Sequence, residues 1–313
     1  MSVYAGSYTS SILSFQHDAA TGALGDPAVV ANLVNPSWLT RHPHLDVFYA
    51  VSETADGAVA AFHLDGTPLG TQPSHGSDPC HLAVNPNGSR LVVANYGGGS
   101  IAVYPLDAVD GRILPAERVE SFGARARAHH VVFHADRAVV TDLGNDMFRL
   151  YTLDFSRWAV AHVPTGSGPR HLVFHPDGHA FATAELSSKV LVLDPDLGLL
   201  ASVNATISAV SENFPSGLTL SPDGRFLYVA NRGRDCVTVF AVDGTVLTPL
   251  TDAPCGGVWP RDLAFIGDTL YVANERSDSI VAFRLDAGIP TPTGVFGAPK
   301  PSRLLAVQSR YDS

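Results

Sequence analysis

The stretch Gly168–Ser188, GPRHLVFHPDGHAFATAELSS, decides the fold of this 313-residue chain. A Gly-Pro pair opens it, followed by Arg170, His171 and the apolar run Leu172-Val173-Phe174. His175-Pro176-Asp177-Gly178 then separates that run from a second one, which leads to Glu185. Pro-Asp-Gly between two short β-type runs specifies a hairpin, because Pro presets φ, Asp caps the turn and Gly supplies φ > 0. The hairpin folds strand two back beside strand one. Arg170 and His171, at the start of the first strand, are therefore expected near Glu185, at the end of the second.

The same unit recurs along the chain, and a fixed period outranks any single motif. First halves read NPSWLT from Asn35, DPCHLAVNPNG from Asp78 and RAHHVVFHADR from Arg127. After GPRHLVFHPDG come FPSGLTLSPDG from Phe214, WPRDLAFIGD from Trp259 and KPSRLLAV from Lys300. Pro36 and Pro301 lie 265 residues apart across six periods, a mean of about 44 residues, the length of one four-stranded propeller blade. Second halves follow six of the seven, as in VFYAVSE to Glu53 and LYVANR to Arg232. The seventh first half runs into the chain end, and Val3–Tyr8 at the other terminus fits the missing column. Pairing the two terminal strands closes a ring and removes its open edges. Third strands such as SIAVYPLD alternate apolar and polar residues and are expected to be half-buried. The fold class is all-β: a single seven-bladed β-propeller of four-stranded antiparallel blades over residues 1–313.

In such a ring the innermost strands line a central channel. The start of each and the end of strand two open on one face. The first column around that mouth reads Ser37, Cys80, His129, Arg170, Ser216, Arg261, Ser302. The second reads Trp38, His81, His130, His171, Gly217, Asp262, Arg303, and strand two ends in Tyr8, Glu53, Tyr96, Leu143, Glu185, Arg232, Glu275. A structural repeat requires the Pro, the apolar positions and the turn; it does not require His, Arg and Glu at these places. Glu53 and Glu275 read as partners for Arg232 and Arg261. Asp142 and Asn231, one position earlier, read as turn caps.

Acidic residues (30) outnumber basic ones (20) for a formal charge of −10, which disfavours nucleic acid and anionic membrane as partners. Any bound anion needs a locally basic pocket. The start, MSVYAGSYTSSILSF, lacks the basic and apolar regions of a signal peptide, and no apolar run reaches the ~18 residues of a membrane span. Cys80, Cys236 and Cys255 have neither disulfide-framework nor zinc spacing, so reduced thiols and a cytoplasmic location are expected.

The motifs TDLGND (141–146), GPRH (168–171), ELSS (185–188), FPSGLTLSPDGRFLYVANRG (214–233) and WPRD (259–262) closely resemble the seven-bladed lactonase family. That family includes bacterial 6-phosphogluconolactonase and fungal carboxymuconate-lactonizing enzyme, and the resemblance covers essentially the whole chain. It implies an active site of one His, two Arg and one Glu, which fall by motif position on His129, Arg170, Glu185 and Arg232. The family often carries a further His two positions before His129, where this chain has Arg127. His171, Arg261, Tyr96 and His81 complete the expected substrate-binding set. On this reading Glu185 is the base, His129 the proton donor or alternative base, Arg170 the oxyanion donor, and Arg232 the holder of the substrate's anionic group. The expected substrate is a small anionic lactone, most directly 6-phosphogluconolactone, and a monomer or weak homodimer is expected. Other propeller lactonases hold a divalent ion with oxygen donors, for which Glu185, Asn231 and Asp142 have the right chemistry; the nearer family is not known for one, so no metal or cofactor is expected. Two alternatives are a carboxymuconate cycloisomerase and a non-catalytic YVTN-type propeller that binds a partner.

Overall fold

The structure is a computed structural model that describes residues 1–208 and 212–308. Its strands form seven four-stranded antiparallel sheets arranged in a ring. Their innermost strands, taken as blades one to seven, are Leu39–Arg41, Pro79–Val84, Ala128–His134, Pro169–Phe174, Phe214–Leu220, Pro260–Ile266 and Pro301–Val307. Blade seven is the composite one: Ser2–Ser7 pairs antiparallel with Pro301–Val307, placing Val3 opposite Ala306 and Tyr4 opposite Leu305. Among the described residues the only helical pieces are the 3-10 turns Leu143–Asn145 and Glu275–Ser277.

The burial pattern corrects one expectation. Third strands such as Ser100–Pro105 are buried along almost their whole length rather than on one face. Each blade packs both faces against neighbouring blades, so its two middle strands need apolar residues on both sides, as buried parallel sheets do. One such interface joins Tyr49, Val51 and Val59 of blade one to Leu82, Val93 and Tyr104 of blade two. Fourth strands, such as Leu199–Asn204, lie at the outer wall with most side chains exposed. That exposure frees them from patterning and explains why they are the weakest part of the repeat.

Blades are also locked by second-strand tyrosines. Tyr49, Tyr228 and Tyr271 each donate a hydroxyl hydrogen bond to a backbone carbonyl of the next blade, at Gly111, Gly288 and Gly22 respectively. For Tyr228 the acceptor is Gly288 O at 2.9 Å. Gly288 itself needs to be glycine: its φ is +84°, and a Cβ there would lie 2.5 Å from the Phe226 ring. Tyr228→Phe keeps the packing and loses the bond, so it should lower stability by about 1 kcal/mol, measured by urea melts.

Candidate active site

The hairpin turn forms as read. Gly178 has φ +100° and donates to His175 O at 2.9 Å. The opposite ends of the strands do more than pair. In six of the seven blades the ladder between innermost and second strands slips at the first-column position. Pro79 faces Asn95 and His81 faces Ala94, so Cys80 is the extra residue; His129 and Arg261 are the extra residues of their blades in the same way. A β-bulge bends the strand and re-aims a side chain. Here the bulges send the first and second columns to different depths.

The first column, with the strand-two ends, lines a cavity of about 210 Å³ at the channel mouth. His129, Arg170, Glu185, Arg232, Arg261, Tyr96 and His171 all border it. At its centre Glu185 Oε2 lies 3.0 Å from Arg170 Nε and 2.6 Å from Arg232 Nη2. This is no rim salt bridge, since Arg170 is 5% exposed and Arg232 6%. Arg232 therefore pairs with Glu185, whereas Glu53 or Glu275 was the expected partner. Arg261 does pair with Glu275. Burial, reinforced by Arg170, pushes Arg232 down to about 10, and burial also lowers Arg170; both remain cations at neutral pH.

The arginines have donors to spare. Arg170 Nε and Nη1 and Arg232 Nη2 are buried without an aligned hydrogen-bond acceptor, although two of them contact the Glu185 oxygen. Buried N–H groups left so cost free energy unless a ligand or water accepts from them. His129 is likewise buried, with Nδ1 unpartnered and its ring edge-on to Tyr96 at 5.8 Å. Burial and Arg170 hold its pKa well below the usual histidine range, so the imidazole is neutral at pH 7. Arg127, where the family often has histidine, lies over the Tyr96 ring at 5.9 Å and donates to Ala126 O at 2.6 Å.

Glu53 is the residue whose placement the sequence reading undervalued. It lines the mouth cavity and receives a hydrogen bond from Ser37 Oγ. Burial raises its pKa. The cavity thus holds two carboxyls in contrasting surroundings, Glu185 between guanidiniums and Glu53 among hydroxyls, the kind of contrast that separates acid from base roles. The signal was present in its column, where Glu53 aligns with Glu185.

The second column lies one layer deeper. His81, His130, Asp262 and Arg303 line a separate channel segment, and Trp38 and His171 border both chambers. His81 is placed below the mouth, with its Nδ1 accepting from Val131 N of the next blade at 3.2 Å. His130 accepts from Leu172 N at 3.4 Å, and Asp262 from Leu304 N at 2.9 Å. These side chains clasp successive blades. Of the oxygen donors considered for a metal, Asp142 is held by Arg149 at 2.7 Å, and the Asn231 amide bonds Ala205 O and Thr238 Oγ1. Neither lines the mouth cavity with Glu185.

The buried histidines set the acid response. Burial holds His81, His129 and His171 well below the usual value, and His130, which keeps some access to the channel, is pushed down to about 3. The unfolded chain binds protons at these rings near pH 6.5 while the folded chain does not, so stability falls as pH drops below 6.5. Each ring contributes a slope of up to about 1.4 kcal/mol per pH unit until its folded pKa is reached. Urea midpoints between pH 8 and pH 4 should show the fall beginning near pH 6.5, and His81→Gln should reduce the slope.

Fold and mouth together define a class: a seven-bladed propeller with a buried Arg/Glu/His cavity in its channel. The chain belongs to the family described as Lactonase, 7-bladed beta-propeller, whose model matches residues 2–302. It is 32% identical over 302 residues to a 6-phosphogluconolactonase of Bacillus subtilis, covering 84% of each chain. A crystal structure of a putative 6-phosphogluconolactonase from Bacteroides fragilis superposes with a TM-score of 0.89 at 29% identity, covering 98% of both chains. A periplasmic gluconolactonase of Pseudomonas aeruginosa gives a TM-score of 0.89 at 29% identity, over 97% of this chain and 98% of that one. No helix among the described residues is long and apolar enough to cross a membrane.

Proposed function

We propose that the mouth cavity hydrolyses 6-phosphogluconolactone to 6-phosphogluconate. The observation that carries this reading is the pair Arg170 and Arg232, buried on either side of Glu185, with Arg170 Nη1 lacking an acceptor. Planar guanidinium forks suit a developing oxyanion and a phosphate or carboxylate group. In a chain of net charge −10, such a pocket is the local exception that an anionic substrate needs. The relatives named 6-phosphogluconolactonase support the choice of lactone.

In the reaction, water attacks the lactone carbonyl, the tetrahedral oxyanion collapses, and the ring C–O bond breaks to leave an alkoxide that takes a proton. Arg170 stabilises the oxyanion and Arg232 holds the substrate's anionic group. Glu185 orients both guanidiniums, which ties it to geometric work. Neutral His129 then becomes the better acceptor of the water proton, the role that the sequence reading gave first to Glu185. Glu53, which lines the same cavity, is the candidate group to return a proton to the leaving oxygen. Free Cys80, Cys236 and Cys255 support a cytoplasmic setting.

The test follows freshly generated 6-phosphogluconolactone against its spontaneous decay, with and without chelator. Acceleration that survives chelation and is largely lost in His129→Asn supports the reading. A wild-type rate equal to that of buffer overturns it.

A further inference from the structure

The HPDGH turn of blade four, at the end of the hairpin away from the mouth, carries a second cluster. His175 Nδ1 lies 2.8 Å from Asp177 Oδ1, and His179 Nδ1 contacts the same oxygen. The two rings stack at 4.6 Å and 20°. One ligand atom from each residue lies within 4.8 Å of the others. His179 is 5% exposed and Asp177 reaches solvent, so the group has a buried wall and an open side.

Blade one provides an internal comparison. Its His42 occupies the same turn position and meets Gly88 O through Nε2 at 3.0 Å, as His175 meets Gly224 O at 3.2 Å. That bond makes Nε2 the protonated nitrogen in a neutral ring and leaves Nδ1 a lone pair. In blade one the lone pair accepts from His44 N at 3.0 Å and Leu45 N at 2.9 Å. In blade four it has only the longer contact to Asp177 N, 3.3 Å, and it faces a carboxylate oxygen. Two lone-pair atoms at that separation repel unless a proton or a metal cation lies between them. Blade four alone of these two turns adds a second imidazole, whose Nδ1 reaches the same carboxylate oxygen.

We propose that His175, Asp177 and His179 form a binding site for a divalent first-row transition-metal ion, with zinc as the reference ion. Two imidazoles and one carboxylate match the ligand preferences of such ions, and water can complete the shell on the open side. Zn–N and Zn–O bonds of about 2.0–2.2 Å are compatible with ligand atoms that all lie within 4.8 Å of one another. The Gly224 carbonyl then serves as the outer partner that orients a ligating histidine. Through it a bound ion joins the blade-four turn to blade five.

The experiment titrates Zn²⁺ into the chelator-stripped full-length protein by calorimetry, beside Asp177→Asn, His179→Gln and, as a control, His42→Gln. Wild type and the control should bind one equivalent more than the two turn variants, or bind it at least tenfold more tightly. Co²⁺ in place of zinc should give visible absorption in wild type that both turn variants lose. Turn variants that keep wild-type stoichiometry and affinity would place zinc elsewhere and overturn the proposal, as would a wild type that takes up none at micromolar concentration. The turn is remote from the mouth, so the result is independent of lactone hydrolysis.

Discussion

Arg170→Ala is expected to lower kcat on 6-phosphogluconolactone about 100- to 1,000-fold, the usual cost of losing one oxyanion donor. KM should change much less, because Arg232 still holds the substrate's anionic group. The folded state should tolerate the change. Arg170 is buried with two N–H groups lacking aligned acceptors, and burial already works against its charge. Its removal relieves repulsion with Arg232 and Arg261 while Arg232 keeps its 2.6 Å contact with Glu185. A thermal midpoint equal to or above that of wild type, together with the kinetic loss, would identify Arg170 as a group kept for function at some cost to stability. Full activity in a folded Arg170→Ala protein would refute the assignment.

The largest stability loss is expected at Asp142→Ala, about 3–5 kcal/mol, because it strands a buried guanidinium. Asp142 is fully buried and its Oδ2 accepts from Arg149 Nε at 3.1 Å and Nη2 at 2.7 Å. Its Oδ1 accepts from Arg127 N at 3.0 Å and Asn145 N at 3.2 Å. Arg149 is 7% exposed, with the Phe122 ring 4.0 Å away as its remaining neighbour of note. Replacing both partners, as in Asp142→Ala with Arg149→Met, should recover much of the loss, since no buried charge is then left alone. Urea melts of the two proteins decide the point. Equal destabilisation would mean that the turn, and not the ion pair, carries the effect.

The carboxylate of Asp142 shows where sequence reasoning stopped. Its column position marked it as a turn cap, and it does accept from Asn145 N. Arg149, seven residues on, gave no sign that it would fold back onto the same group. Third strands show the same boundary. Their apolar runs were read as half-buried because strand alternation is local, whereas burial on both faces comes from a neighbouring blade about 44 residues away in sequence.

The repeat, the blade count, the closure of Ser2–Ser7 on Pro301–Val307 and the meeting of Arg170 with Glu185 across one hairpin are all legible along the chain. Each follows from short-range turn chemistry or from a period, and both are written along the chain. The depth of each column is set by tertiary packing instead. The bulges at Cys80, His129 and Arg261 send the first column to the mouth, and the second column turns into the channel to clasp the next blade. His81 and His129 belong to equivalent strands yet end in different chambers for that reason. Arg232 found Glu185 through a contact between different blades. That distance is set by closing the whole ring, which no local stretch encodes.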